Sequence, residues 1–282
     1  MNGPIDLHCH STASDGTMSP RDVIKLGKEI GLSAMSLTDH DTIGGIEDAA
    51  AQAADSEIDF IPGIEISAKF PEPGTLHILG YGIDPQNEQL ATLTKELRGG
   101  RDDRNERIVK KLQSLGIDIK LEEVLALAQG TVGRPHIAQV LVSKRVVSHV
   151  HEAFRKYLGQ GGLAYEDKER FTPRQAIAMI HAAGGVAICA HPTQLRLPNF
   201  ARLERVLKDL VDLGLDGVEV IHSDHRPLEV KFLDAFATKY QLLKTGGSDF
   251  HGSMKSKVSL GLARQRPIPR RYFDALIARL KR

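Results

Sequence analysis

Short apolar runs rich in β-branched residues and bounded by turn residues recur along the chain. They lie at Ile5 to His8, Ala34 to Thr38, Phe60 to Ile66, Leu76 to Tyr81, Val186 to Ala190, Gly217 to Ile221 and Leu242 to Thr245, which predicts seven strands. Helical patterns with legible ends stand between several of them. Ser19-Pro20 and Thr172-Pro173 each place a capping hydroxyl before a proline at the first helical position, and Gly31 and Gly184 stand where left-handed C-caps belong. Alternating strands and helices build parallel β/α units, and their number points to a barrel rather than an open sheet, so the expected fold class is α/β.

Two stretches break the alternation. Ile66 and Leu76 are joined only by Ser67-Ala68-Lys69-Phe70-Pro71-Glu72-Pro73-Gly74-Thr75, too short for a crossover helix, so this connection predicts an antiparallel pair. Glu65, ending the third strand, and His77, beginning the fourth, then lie at the same end of the barrel. From about Asn87 to Arg170 the strand signal vanishes, leaving helical patterns at Glu88 to Leu97, Asp102 to Leu115, Leu121 to Ala128, Pro135 to Val142 and Ser148 to Leu158. The division expected is a barrel formed by residues 1–86 and 171–282 with an inserted helical cap at 87–170, and Gly99-Gly100 and Gly159-Gln160-Gly161-Gly162 as hinges or helix ends.

Composition narrows the class without naming a chemistry. At 282 residues, 41% hydrophobic, 26% charged and 5% aromatic with no tryptophan, the chain is an ordinary globular protein, which excludes disorder and collagen-like repeats. Thirty-seven Lys and Arg against 36 Asp and Glu leave a net charge of +1, so any polyanion must be met by a local cluster. No apolar run approaches the ~18 residues of a membrane span, and Met1-Asn2-Gly3-Pro4 lacks the basic start and apolar run of an export signal. A cytoplasmic protein without membrane contact is expected. Cys9 and Cys189 are too few for a disulfide scaffold and read as small packing residues in strands.

Histidine is the residue type whose positions change the picture, with twelve in the chain. In a strand His8 and His10 point to one face and could bind one ion side by side, while Cys9 faces the other way. His40 lies in Asp39-His40-Asp41 after the second strand, Glu65 ends the third, His191 follows the fifth, and Asp249-Phe250-His251 follows the seventh. Nearly every predicted strand thus delivers an imidazole or carboxylate at its C-terminal end, where β/α barrels build active sites. Such donors bind divalent ions, lower the pKa of bound water to about 7 and polarise phosphoryl oxygens. There are more donors than one ion needs, so two or three ions are implied, with Glu65, alone at its strand end, as the natural bridging carboxylate. His222 follows strand six and should overlook the same pocket, as a substrate contact, a proton carrier or a solvated side chain.

The motifs Asp6-Leu7-His8-Cys9-His10-Ser11-Thr12-Ala13-Ser14-Asp15-Gly16-Thr17, Leu37-Thr38-Asp39-His40-Asp41-Thr42, Pro62-Gly63-Ile64-Glu65-Ile66-Ser67, Ala190-His191-Pro192 and Gly246-Gly247-Ser248-Asp249-Phe250-His251-Gly252 resemble those of the PHP (polymerase and histidinol phosphatase) family, nearly end to end. Gly133-Arg134-Pro135-His136-Ile137-Ala138 is similar to its subgroup of nucleoside 3′,5′-bisphosphate phosphatases and 5′-to-3′ oligoribonucleases. The resemblance implies a distorted seven-stranded barrel and three ions: one held by His8, His10, Glu65 and Asp249, a second by Glu65, His77 and His191, a third by Asp15, His40 and His251. Asp15 stands where histidinol phosphatases carry histidine. No expected ligand is missing, and manganese is the expected metal, with iron or zinc compatible with the donors.

Arg134 and His136 are, on this resemblance, the residues that hold the substrate phosphate that is not cleaved; a guanidinium forks onto phosphate oxygens and an imidazole adds a donor. The reading is a phosphoesterase acting on nucleoside 3′,5′-bisphosphates and short 5′-phosphorylated RNA by attack of metal-activated water on phosphorus. Asp15, His40 and His222 are the candidate catalytic residues, and no obligate protein partner is expected. Its rivals are a monophosphatase of histidinol phosphatase type and a non-catalytic metal-stabilised scaffold. Arg98, Arg101, Arg104 and Arg107 recur every third residue, interleaved with Asp102, Asp103 and Glu106, and read as a salt-bridged solvated face rather than an RNA track. His149 and His151 read as cap surface and His181 as a helix residue remote from any strand end.

Overall fold

The computed structural model describes residues 3–71, 74–127, 132–167 and 170–281. Strands β1 (Ile5–Asp6), β2 (Ala34–Leu37), β3 (Asp59–Ala68), β4 (Leu76–Tyr81), β5 (Val186–Cys189), β6 (Gly217–His222) and β7 (Leu243–Gly247) lie side by side in chain order in one sheet. The sheet's edges meet: the Leu7 N–H donates to the Gly246 carbonyl at 3.3 Å and the Asp249 N–H to the His8 carbonyl at 2.8 Å. The result is a nearly closed barrel. Pairing is parallel except at β4, which runs against both β3 and β5. The expected antiparallel pair is therefore present, with Ser67 opposite His77 and Glu65 opposite Leu79. Residues 72 and 73 of the connection lie outside the described residues.

Helices α1 (Pro20–Glu29) and α2 (Ile46–Asp55) carry the first two crossovers. The Ser19 hydroxyl accepts from the Asp22 N–H ahead of Pro20, and Gly31 adopts φ +81°, which a side chain would resist. Between β4 and β5 come α3 (Glu88–Ser114), α4 (Leu121–Leu125), α5 (Arg134–Ser143), α6 (Val150–Ala153), a π-helical turn at Phe154–Leu158, and α7 (Pro173–Ala182), capped by Thr172. Ile108, Leu112, Val124, Ile137, Leu141 and Leu158 from these elements form a core cluster distinct from those of the barrel. Helices α8 (Phe200–Asp212), α9 (Pro227–Lys239) and α10 (Arg271–Leu280) complete the chain, with a small hairpin β8 (Leu262–Ala263) and β9 (Arg266–Pro267) before α10. Among the described residues no helix is long and apolar enough to cross a membrane.

Three expectations need correction. Gly99-Gly100 is no hinge: α3 runs unbroken through it, and a Cβ at either glycine would meet nothing within 4 Å. Helix hydrogen bonds outweigh the ~1 kcal/mol that each glycine costs. Arg104 does not lie on a solvated face. It is 3% exposed and donates from Nη2 to Asn105 Oδ1 at 3.1 Å, while Arg107 pairs with Glu166 instead of a neighbour on its own helix. The side chains of Arg98 and Arg101, and residue Ala128 at the end of the predicted Leu121 to Ala128 helix, lie outside the described residues. β7 also begins and ends later than predicted, because the glycine pair 246–247 is used for strand pairing rather than for a turn.

The packing of β7 on β1 sets where the first histidine stands. A Cβ at Gly247 would fall 2.1 Å from His8 Cβ and 2.5 Å from the His8 nitrogen. Gly247→Ala is expected to lower stability by about 1–3 kcal/mol through forced overpacking, read as a fall in the urea midpoint. An unchanged midpoint would show that β7 and His8 do not approach so closely.

Candidate metal centre

Past β1 the chain stays extended through His8-Cys9-His10, so alternation turns both imidazoles inward and Cys9 outward into the core. Cys9 and Cys189 are free and 0% exposed, and burial raises both thiols, as packing residues should show. His40 bridges to Glu65 as β2 runs out, Glu65 sits within β3, and His77 opens the reversed strand β4. His191 follows β5, His222 ends β6, Asp249 and His251 follow β7, and Asp15 comes from the loop after His10. The sequence-predicted donors therefore meet at one end of the barrel.

Their spacing is informative. His8 Nε2 lies 3.4 Å from Glu65 Oε2 and 3.7 Å from Asp249 Oδ1, and His10 Nε2 lies 3.3 and 3.4 Å from the same two oxygens. Four donors placed tetrahedrally at roughly 2.1 Å from an ion stand about 3.4 Å apart. These distances match a coordination shell better than a hydrogen-bond network. His8 Nε2, His10 Nε2 and Glu65 Oε2 are also buried without a hydrogen-bond partner among the described residues. Each such atom costs about 1–3 kcal/mol unless something satisfies it, and a divalent cation at their centre would satisfy all three at once. The residues present thus fit a metal ion.

Glu65 turns its other oxygen elsewhere. Oε1 lies 2.8 Å from His77 Nδ1 and 2.9 Å from His191 Nε2. A third group surrounds Asp15, with His251 Nε2 at 3.4 Å from Oδ1 and His40 Nε2 at 4.0 Å from Oδ2. His40 presents its Nδ1 to Glu65 Oε2 at 2.8 Å. The ligand atoms of His10, Asp15, His40 and His251 come within 4.8 Å of one another, as do those of His8, His10 and Asp249 and of His8, Glu65 and His191.

Charge follows this arrangement. Burial works to raise Glu65, yet His40, His77 and His8 hold its carboxyl well below the usual range. Asp15 is held low against burial by His40 and His251, and Asp249 by Lys255 and His251. Burial lowers His40 and His191 to about 4, leaving neutral imidazoles with lone pairs to give. Burial works to lower His10 as well, but Asp249 and Glu65 carry it up to about 9.

Glu219, His225 and Lys255, which sequence reading missed, support this cluster, and His222, which it placed at the pocket, stands among them. Glu219, 0% exposed, accepts from His8 Nδ1 at 3.0 Å and from the His191 N–H at 2.7 Å, orienting one ring and one backbone at once. The signal was a carboxylate inside an otherwise apolar strand, but its direction depends on a bulge. Glu219 pairs with Thr245 and Ile221 with Gly246, so the extra residue brings Glu219 and His222 to the same side. His222, 1% exposed, is not solvated: Nδ1 accepts from the Asp224 N–H at 3.0 Å, placing its proton on Nε2, 3.3 Å from Asp249 Oδ2. His225 packs behind it and donates from Nδ1 to the Val220 carbonyl. Lys255 reaches Asp249 Oδ2 at 2.5 Å. Asp41, His191 and Asp249 have φ of +54°, +25° and +60°, left-handed values that cost a side-chain-bearing residue about 1–3 kcal/mol each.

Arg134 and His136 open α5. The Arg134 guanidinium lies 5.9 and 5.8 Å from the ring centroids of Phe154 and Tyr165 and donates to the Leu158 carbonyl at 3.1 Å. His136, 5% exposed, accepts at Nδ1 from the Gly133 N–H at 3.0 Å. One helical turn on, Gln139 Nε2 meets Met254 Sδ, in the 3₁₀ turn Gly252–Lys255 that follows His251, so α5 rests on the loop of the strand-end cluster. His149 and His151 are exposed and His181 pairs with Asp216 at 2.7 Å, all apart from it.

Comparison with known proteins agrees with this geometry. A 5′-3′ exoribonuclease of Haemophilus influenzae is 36% identical, over 89% of this chain and 91% of the relative. A 3′,5′-nucleoside bisphosphate phosphatase of Chromobacterium violaceum is 33% identical, over 99% of this chain and 98% of the relative. The crystal structure of a candidate metal-dependent phosphoesterase from Bifidobacterium adolescentis superposes with a TM-score of 0.87 at 31% identity, over 98% of this chain and 96% of the other. The PHP domain pattern matches residues 6–214, reaching from the end of β1, just before His8 and His10, past His191, and the chain belongs to the PHP domain family.

Proposed function

We propose that this chain is a metal-dependent phosphoesterase that removes the 3′-phosphate of nucleoside 3′,5′-bisphosphates and trims short 5′-phosphorylated RNA from its 5′ end. The observation that carries it is the strand-end donor cluster with α5, and hence Arg134 and His136, resting on its rim through Gln139 and Met254. Relatives named for each of the two activities match over most of their lengths. The scaffold reading loses its motive, because the donor set is complete.

In this reading His8, His10, Glu65 and Asp249 would hold one ion, Glu65, His77 and His191 a second, and Asp15, His40 and His251 a third. Divalent ions there, manganese by preference, would activate water and offset charge gathering on the phosphoryl oxygens. The protein's own residues do the rest. Neutral His40 and His191 donate lone pairs without first losing a proton at pH 7. His222, with its proton on Nε2, is placed to hydrogen-bond a phosphoryl or leaving oxygen. Helices 87–170 act as a cap, and Arg134 and His136 hold the 5′-phosphate. The cap then works as a ruler, since the first internucleotide phosphate of a 5′-phosphorylated RNA occupies the place of the 3′-phosphate. The cytoplasm is the assigned compartment, in keeping with two free buried thiols.

Inorganic phosphate release from adenosine 3′,5′-bisphosphate by the manganese-loaded protein should greatly exceed release from 3′-AMP. Arg134→Ala should lower kcat/KM on the bisphosphate by about 10- to 100-fold, the loss of one or two charge-assisted hydrogen bonds, and leave 3′-AMP hydrolysis unchanged. Equal rates on the two substrates in the parent protein would abandon the ruler and favour a monophosphatase.

Proton and metal compete for His10. Its imidazole titrates at about 9 in the ion-free protein, so below that pH loading must displace a proton. Against burial, Glu219 and Glu65 hold His8 well above the usual imidazole range as well, so manganese affinity, followed by calorimetry, should rise by at least about tenfold per pH unit from 7 to 9. The free protein runs the opposite way: a raised imidazole contributes stability that is full below its unfolded value of about 6.5 and lost as pH rises through about 9. A pH-independent affinity would show that His10 is neutral before the ion arrives.

A further inference from the structure

A side-chain cation already stands at the strand ends. Lys255 closes the 3₁₀ turn Gly252–Lys255 and sets Nζ 2.5 Å from Asp249 Oδ2. The other oxygen of Asp249, Oδ1, is the one that His8 and His10 face at 3.7 and 3.4 Å. Oδ1 therefore faces the donor cluster, while Oδ2 is shared between the Lys255 ammonium and His222 Nε2, 3.3 Å away. The Asp249 side chain is 7% exposed and that of Lys255 41%, so the carboxylate is fixed while the ammonium rides a flexible stem at its open edge. The same turn carries Met254, on which Gln139 of α5 rests, so Lys255 lies along the seam between the cluster and the helix of Arg134 and His136. No described histidine or carboxylate of the strand-end set could offer a permanent positive charge there.

We propose that Lys255 binds the scissile phosphoryl group: it is parked on Asp249 in the ion-free protein and passes to a phosphoryl oxygen when Asp249 engages an ion. This rests on the phosphoesterase reading. An ion at Oδ1 draws on the carboxylate's charge and weakens its hold on Nζ. A compact ammonium with three donors on a four-carbon stem suits a phosphoryl oxygen that must be gripped and released. Before loading, Lys255 is a rival cation for Asp249; after loading, it is a phosphate ligand. Removing it must then move two affinities in opposite directions, whereas a residue that merely props the turn would weaken both.

Lys255→Met and Lys255→Arg would be compared with the parent chain by two calorimetric titrations, manganese into chelator-stripped protein and inorganic phosphate into manganese-loaded protein. Lys255→Met should tighten manganese binding at least about threefold and weaken phosphate binding about tenfold, with KM rising more than kcat falls. Lys255→Arg should restore phosphate binding. Unchanged phosphate affinity in Lys255→Met, or both affinities weakened together, would overturn the assignment. A parent protein that turns over no phosphoester would defeat the phosphoesterase reading instead, while the two titrations still decide the role of Lys255.

Discussion

The structure depends on one buried carboxylate. Glu65 is 0% exposed, and imidazole nitrogens of His8, His10, His40, His77 and His191 approach its two oxygens at 2.8 to 3.4 Å. An ionised carboxylate taken out of water is costly unless paired, and imidazoles that are themselves pushed toward neutrality by burial pair it poorly. The arrangement is suited to be completed by cations. It also explains the reversed strand: only by running β4 against its neighbours can the chain bring His77, at a strand's start, to the end where the other strands finish.

Holding so many donors in one place strains the backbone, and the barrel absorbs it with hydrogen bonds. Asp41 is left-handed but receives the Ser67 N–H and hydroxyl; His191 is left-handed but its N–H is taken by Glu219; Asp249 is left-handed but its N–H meets the His8 carbonyl. Asp6 and Asp39 serve the same end further out. Asp6 accepts from the N–H groups of His8, Ser248 and Gly261, and Asp39 from the Ser11 N–H and the hydroxyls of Ser11 and Ser14. Motif residues that are not donors to the cluster are thus occupied in positioning those that are.

The helical segment is built on different physics. It has its own apolar core, and it meets the strand-end loops where Gln139 contacts Met254. On the proposed function, a site composed in this way would keep its reactive end rigid while the helices, free to vary independently, set what it reads.

Much of this was legible in the sequence because strands impose a period of two and barrels place chemistry at strand ends. His8, His10, His40, Glu65, His77, His191, Asp249 and His251 could be picked out from position alone, and the short proline-rich link before Leu76 was enough to infer the reversed strand. Arg134, His136 and Asp15 were visible only through resemblance, because a loop or helix start carries no period from which direction can be read. Glu219 and His222 stand three apart in one strand and would face opposite sides without the bulge at Val220, which depends on pairing with β7 and not on local sequence. Lys255, Arg104 and the unbroken α3 likewise needed tertiary contacts, since whether a charged side chain turns inward or a glycine pair bends a helix is decided by what packs against it. Periodicity determined which residues could share a face; the closure of the barrel decided which of them meet.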